Sequence, residues 1–132
     1  MSPSEISVLI DESPMNRGAS GMAWLKTPGN IAFSDEVGNV LLFEKRADHM
    51  FEFHWLTTVS KPRRIINFTK FAAREMYDLP GTALLYGLVP ADRRDSNIMA
   101  RWIGAQSLGQ VSTDLGLCEM FILTREAAGT RQ

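Results

Sequence analysis

Cysteine, histidine and tyrosine are scarce in this 132-residue sequence, and neither sign of charge is in surplus. The single cysteine, Cys118, excludes an internal disulfide and any cysteine-rich zinc site. With only His49 and His54, a histidine-built centre is not expected either, so no metal is assigned. Lys and Arg number 14 against 15 acidic residues, a net charge of −1, so no global field draws the chain to nucleic acid or an anionic membrane. No apolar run approaches the roughly 20 residues of a membrane-spanning helix. Met1-Ser2-Pro3-Ser4-Glu5 has neither the basic nor the apolar block of a signal peptide. These absences lead to the expectation of a reducing, aqueous compartment, with no membrane span and no secretion.

What is present is an ordinary globular balance, 45% apolar and 22% charged. The length suits one domain over residues 1–132, in which 1–29 form a helical and irregular N-terminal part and 127–132 a polar tail. Ser4 is placed to cap a short helix through Ile6, Leu9 and Ile10, ended by Pro14. Asn16 to Gly29 reads as irregular, pinned by Met22, Trp24 and Leu25. Strand patterns follow over Asn30–Ser34, Val40–Glu44 and Met50–Thr58, separated by turn signals. The last alternates strictly, with Phe51, Phe53 and Trp55 on one face and Glu52, His54 and Leu56 on the other.

Ser60 and Pro62 then suit a helix start, and Ile65, Phe68, Ala72 and Met76 recur at helical spacing up to Leu79-Pro80-Gly81. Thr82–Val89 reads as a central strand. Asp92 is placed to cap a second helix with Ile98, Met99, Trp102 and Ile103 as its buried stripe and Gly104 as its exit. Leu117–Thr124 is a closing strand. Helix, three strands, helix, strand, helix, strand is an α+β order: a mixed, mostly antiparallel sheet flanked by helices.

That order, with Pro90-Ala91-Asp92-Arg93-Arg94-Asp95-Ser96 and Trp102-Ile103-Gly104-Ala105 after it, resembles the GNAT (GCN5-related N-acetyltransferase) fold superfamily. Phe51-Glu52-Phe53-His54-Trp55-Leu56 is similar to the strand leading into the coenzyme loop there, and Phe121-Ile122-Leu123-Thr124-Arg125 to the closing strand. The likeness spans Gly38 to Glu126, is strongest from Leu84 onward, and is nearest to the small GNAT-like proteins of tailed bacteriophages. It implies acyl-coenzyme A as the ligand of a loop over Leu56, Thr57, Thr58, Lys61, Arg63, Arg64 and Ile65. It also implies Glu52 or His54 as the base that strips the acceptor ammonium. Cross-strand pairing for Glu52 and a surface hydrogen bond for His54 are the structural roles also open to them. Tyr77 and Tyr86 fall outside the place of the family's usual acid and read as packing residues, and Cys118 as inert core.

The family's coenzyme loop is glycine-rich, because glycines let backbone N–H groups approach the phosphates. Thr57 to Ile65 contains no glycine, and Pro62 removes one N–H from the first helical turn. Two readings follow. In the first, the fold is retained in a phage-type virion or assembly component with an eroded coenzyme site. It then needs no cofactor, pairs with other virion proteins or with itself, and is found in host cytoplasm or virion. In the second, Lys61, Arg63 and Arg64 replace the backbone donors, and the chain is an acetyl-CoA-dependent N-acetyltransferase for an unidentified amine.

Overall fold

The computed structural model describes residues 1–13, 20–56, 61–114 and 116–129. The period-two pattern of Phe51 to His54 does form a strand, β3 (Met50–Trp55). It pairs antiparallel with β2 (Val40–Ala47), from Leu41↔Trp55 to Ala47↔Met50. β1 (Ile31–Ser34) pairs antiparallel with the other edge of β2. The turn between them is held by one side chain: Asp35 accepts from the N–H groups of Val37 and Asn39 and from the Asn39 amide, at 2.7–3.0 Å. This is the Asx-type chemistry that makes Asp favourable in turns.

Helix α3 (Pro62–Asp78) then carries the chain over the sheet to β4 (Leu84–Pro90), which runs parallel to β3. A parallel neighbour requires such a crossover, because a tight hairpin reverses direction. After α4 (Arg94–Trp102), the strands β5 (Gln106–Thr113) and β6 (Gly116–Leu123) form a hairpin. β6 inserts beside β4, giving the order β1-β2-β3-β4-β6-β5 with β3/β4 as the parallel pair. Three further helices are α1 (Pro3–Asp11), α2 (Gly21–Lys26) and α5 (Arg125–Ala128).

The sheet is covered on two faces by different helices. On one face Phe43, Phe51, Phe53, Leu85, Phe121 and Leu123 pack against Ala72, Ala73, Met76 and Tyr77 of α3 and against α4 and α5. Thr69, Ala72, Ala73, Met76 and Tyr77 are spaced to line one side of a helix, which is why α3 buries that stripe. The Tyr77 hydroxyl donates to the Leu123 carbonyl at 2.5 Å and accepts from the Leu85 N–H at 3.2 Å, tying α3 to two strands. On the other face Val40 and Leu42 meet Ile6, Ile10 and Trp24 of α1 and α2. Among the described residues no helix is long and apolar enough to cross a membrane.

Several local expectations change. The cap of α1 is Ser2, in a reciprocal capping box with Glu5, two residues earlier than Ser4. Pro14 and Ser60 lie outside the described residues, and Lys61 occupies the N-cap of α3 without a side-chain bond. Part of the stretch expected to be irregular is α2, capped by Ser20. The N-cap of α4 is Arg93, not Asp92, and Trp102 at its end is 55% exposed while Ala100 and Ile103 are buried. The strand β5 was not expected at all. Its two faces are both largely solvated, so it shows no apolar alternation.

Candidate functional site

The parallel pair does not stay paired. β3 and β4 share the register Met50↔Leu84, Phe51↔Leu85, Glu52↔Tyr86, and then separate although β3 continues to Trp55 and β4 to Pro90. Between them opens a cleft of about 210 Å³, bordered by Phe53 to Leu56 on one side and Gly87 to Pro90 on the other. It lies beyond the carboxyl ends of parallel strands, where open α/β sheets commonly bind ligands. At its base the Phe53 ring lies directly over Gly87: a Cβ there would fall 2.5 Å from a ring carbon. Glycine at 87 therefore answers a need for space. Its neighbour is a ring 4% exposed, packed against Trp55 with centroids 5.4 Å apart.

The polar wall of the cleft comes from two adjacent strands. Antiparallel register sets Glu44 opposite Glu52 and Leu42 opposite His54, which brings the side chains of Glu44, Glu52 and His54 to one face. The His54 Nε2 lies 3.3 Å from Glu44 Oε1 and 3.7 Å from Glu52 Oε2. Two like charges directly opposite would repel. Arg46 resolves this, with its Nε donating to Glu52 Oε1 at 2.8 Å and its terminal nitrogen 3.1 Å from Glu44 Oε1. Arg46 sits where the register shifts between Lys45↔Phe51 and Ala47↔Met50, a bulge of the kind that re-aims a side chain beside a site.

Electrostatics follow from this packing. Burial works against the charged guanidinium of Arg46, but Glu52 and Glu44 together more than offset it and raise its pKa. Burial also raises the phenol pKa of Tyr86, with the charge of the neighbouring Glu52 adding to it. Glu52 is 5% exposed and needs its partner, since an unpaired buried carboxylate is costly. The ligand atoms of Glu44, Glu52 and His54 lie within 4.8 Å of one another, a spacing a divalent cation could bridge. Arg46 already supplies a positive charge to both carboxylates. What the group can do chemically is hold a cation-bearing ligand and take up a proton.

The two residues singled out as bases, Glu52 and His54, thus stand together on the cleft wall. Leu56 borders the same cleft. Thr57 and Thr58 lie outside the described residues. Lys61, Arg63, Arg64 and Ile65 open α3 and are absent from the cleft lining. Arg64 leans toward Asp35, 3.6 Å away. Pro62 offers no N–H, and the Arg64 and Ile65 N–H groups return to the Lys61 carbonyl. Glu44 and Arg46 were missed as members of the group. The hairpin register would have shown Glu44, whereas the bulge at Arg46 leaves no mark in the sequence.

Cys118 is buried on the far side of the cleft, near Thr113. Arg93, at the start of α4, borders the cleft and is 3.8 Å from Asp95. Tyr77 is a packing residue with both sides of its hydroxyl engaged, as expected.

No family model and no curated protein matches the sequence. Solved structures do match the fold. A chimera of the spermidine N-acetyltransferase SpeG from Vibrio cholerae and hSSAT is similar with a TM-score of 0.72 at 6% identity, over 97% of this chain and 95% of that one. RimJ of Mycobacterium smegmatis, in complex with CoA-disulfide, gives 0.67 at 11% identity over 96% and 81%. An aminoglycoside acetyltransferase, AAC(6')-Ib with coenzyme A, gives 0.56 at 10% identity over 67% and 60%. These comparisons lend no support to the bacteriophage association. A mixed sheet with one parallel seam and helices on both faces, superimposable on such enzymes, is the GNAT acyltransferase fold.

Proposed function

We propose that this chain transfers an acyl group from an acyl-coenzyme A thioester to a primary amine in the β3/β4 cleft. The observation that carries this is the opening of the parallel pair with Glu52 and His54 on its wall. An amine arrives at neutral pH as an ammonium and must lose a proton before its nitrogen can attack. A carboxylate and an imidazole within 3.7 Å of each other are suited to take it. Nitrogen then attacks the thioester carbonyl carbon, and the strand edges left unpaired at Phe53–Trp55 and Gly87–Val89 offer N–H groups to the developing oxyanion. The C–S bond breaks, the second proton lost by the nitrogen passes to the departing thiolate, and the products are an amide, the coenzyme thiol and the first proton left on the base.

Acyl-CoA would reach the cleft past Leu56, with Lys61 and Arg63 toward its phosphates. Calorimetric titration with acetyl-CoA tests this. Micromolar binding that disappears in an Arg63→Ala/Arg64→Ala variant supports it, and no heat at millimolar coenzyme sinks it.

One observation favours a second reading, a GNAT-fold scaffold without turnover that serves in a virion or its assembly. The loop expected to cradle the coenzyme has no glycine, and Arg64 at its end faces Asp35. Absence of coenzyme binding together with recovery of the chain from purified virions, by mass spectrometry, would establish that reading.

A further inference from the structure

The Glu44–Glu52–His54 wall contains an element that a site built for polycations would not need. Arg46 engages an oxygen of each carboxylate, at 2.8 Å for Glu52 and 3.1 Å for Glu44. The Glu52 contact falls in the range of strong charge-assisted hydrogen bonds, and the Glu44 contact is a longer ion pair. The guanidinium is itself placed by a strand bulge and borders the cleft. Across the opening stands a second guanidinium, Arg93.

We infer that Arg46 is a specificity-determining residue that restricts the acceptor to amines carrying one positive charge. This rests on the acyl-transfer reading above. The ammonium of a monoamine needs only a place beside the Glu52 Oε2 and His54 end of the cluster, the edge turned away from the Arg46 Nε contact. A second ammonium on the same molecule must compete with Arg46 for carboxylate oxygens it already holds, or stand close to a like charge. Like charges a few ångströms apart in a partly desolvated cleft are strongly unfavourable. The chain's net charge of −1 adds no compensating attraction at a distance. The site accordingly discriminates by charge number at equal size and shape.

The test uses n-pentylamine and 1,4-diaminobutane, equal in heavy-atom length and different by one ammonium, with acetyl-CoA as donor and release of the coenzyme thiol as the readout. Wild type is expected to use the diamine at least about threefold less well than the monoamine in kcat/KM. Arg46→Gln removes the positive charge from beside the carboxylates and should raise the diamine-to-monoamine ratio by about tenfold or more. Arg46→Lys keeps the charge on a different head and should hold the wild-type ratio, whereas a merely structural guanidinium fork would make both variants lose activity on the two amines alike. Wild-type use of the diamine within about threefold of the monoamine, or better, overturns the inference whether or not Arg46→Gln folds. So does an unchanged ratio in a folded Arg46→Gln. Failure of acetyl-CoA to bind at all is a separate result, seen by calorimetry before any amine is added, and refutes the acyl-transfer reading with everything built on it.

Discussion

Adding one methyl group at the base of the cleft should destabilise the fold, and deleting the ring above it should remove that penalty. An alanine Cβ at position 87 would stand 2.5, 2.6 and 3.0 Å from three carbons of the Phe53 ring. Ordinary carbon–carbon contact is about 3.5–4.0 Å, so the ring must retreat by about 1 Å. It has nowhere simple to go, being 4% exposed and packed against Trp55. Overpacking of this kind costs typically about 1–3 kcal/mol. With a urea m-value of about 2 kcal/mol/M, Gly87→Ala should lower the unfolding midpoint by about 0.5–1.5 M. Phe53→Ala alone should cost about 3–5 kcal/mol through the lost ring. In that background Gly87→Ala meets no ring, and replacing a strand glycine should be neutral or gain up to about 1 kcal/mol. The double-mutant cycle therefore predicts a coupling of about 1–4 kcal/mol, read by urea denaturation followed by circular dichroism. Additive effects, or a Gly87→Ala change below about 0.5 kcal/mol, would refute the steric account of the glycine.

Three other outcomes are expected. Glu52→Gln and His54→Ala should each lower acyl transfer by about a hundredfold or more with acetyl-CoA binding intact; loss of coenzyme binding instead would point to a structural role for the pair. Asp35→Ala removes three hydrogen bonds from the β1–β2 turn and should cost about 1–2 kcal/mol at pH 7. Although burial raises the Asp35 pKa, bonds from Asn39 and Val37 and the charge of Arg64 bring it below the usual value. Its contribution is thus present above the unfolded pKa of about 3.9 and lost as pH falls through the folded one, so the urea midpoints of wild type and Asp35→Ala should converge in acid. A gap that does not narrow as pH is lowered contradicts this. Tyr77→Phe should cost about 2–3 kcal/mol, since the Leu85 N–H and Leu123 carbonyl lose a buried partner. Burial raises the Tyr77 phenol, so its stabilisation holds below the unfolded pKa of about 10 and falls as pH rises through the folded value. The variant should therefore show a weaker alkaline decline, measured by thermal unfolding.

Much of the fold was legible because its interior strands and α3 carry clean periods. Phe51, Phe53 and Trp55 alternate with Glu52 and His54, and α3 repeats its buried residues at helical spacing; both elements form where those patterns lie. The edge strand β5 was invisible because Gln106 to Thr113 has almost no buried side, so no apolar period marks it. Trp102 shows the opposite error: it fits the helical stripe of α4, but the sheet contact falls on the side of Ala100 and Ile103. At the site, facing direction along one strand was enough to join Glu52 to His54. Adding Glu44 requires the register of β2, and adding Arg46 requires a bulge. Both are properties of pairing between segments, which local sequence does not encode.

The three-pair seam between β3 and β4 divides the sheet into two antiparallel blocks, β1-β2-β3 and β4-β6-β5, each far more extensively paired within itself. Such a sheet has a natural hinge line. Helix α3 spans it as a strap, anchored to β3 by the Trp55 indole on Thr69 at 2.9 Å and to β4 and β6 by Tyr77. Opening along the seam would break few backbone bonds, so the Leu84 amide, which donates to the His49 carbonyl across it, should exchange with solvent deuterium sooner than amides at the centre of either block. A molecule entering the cleft would hold both blocks at once, and its presence would be read as slowed exchange along that line.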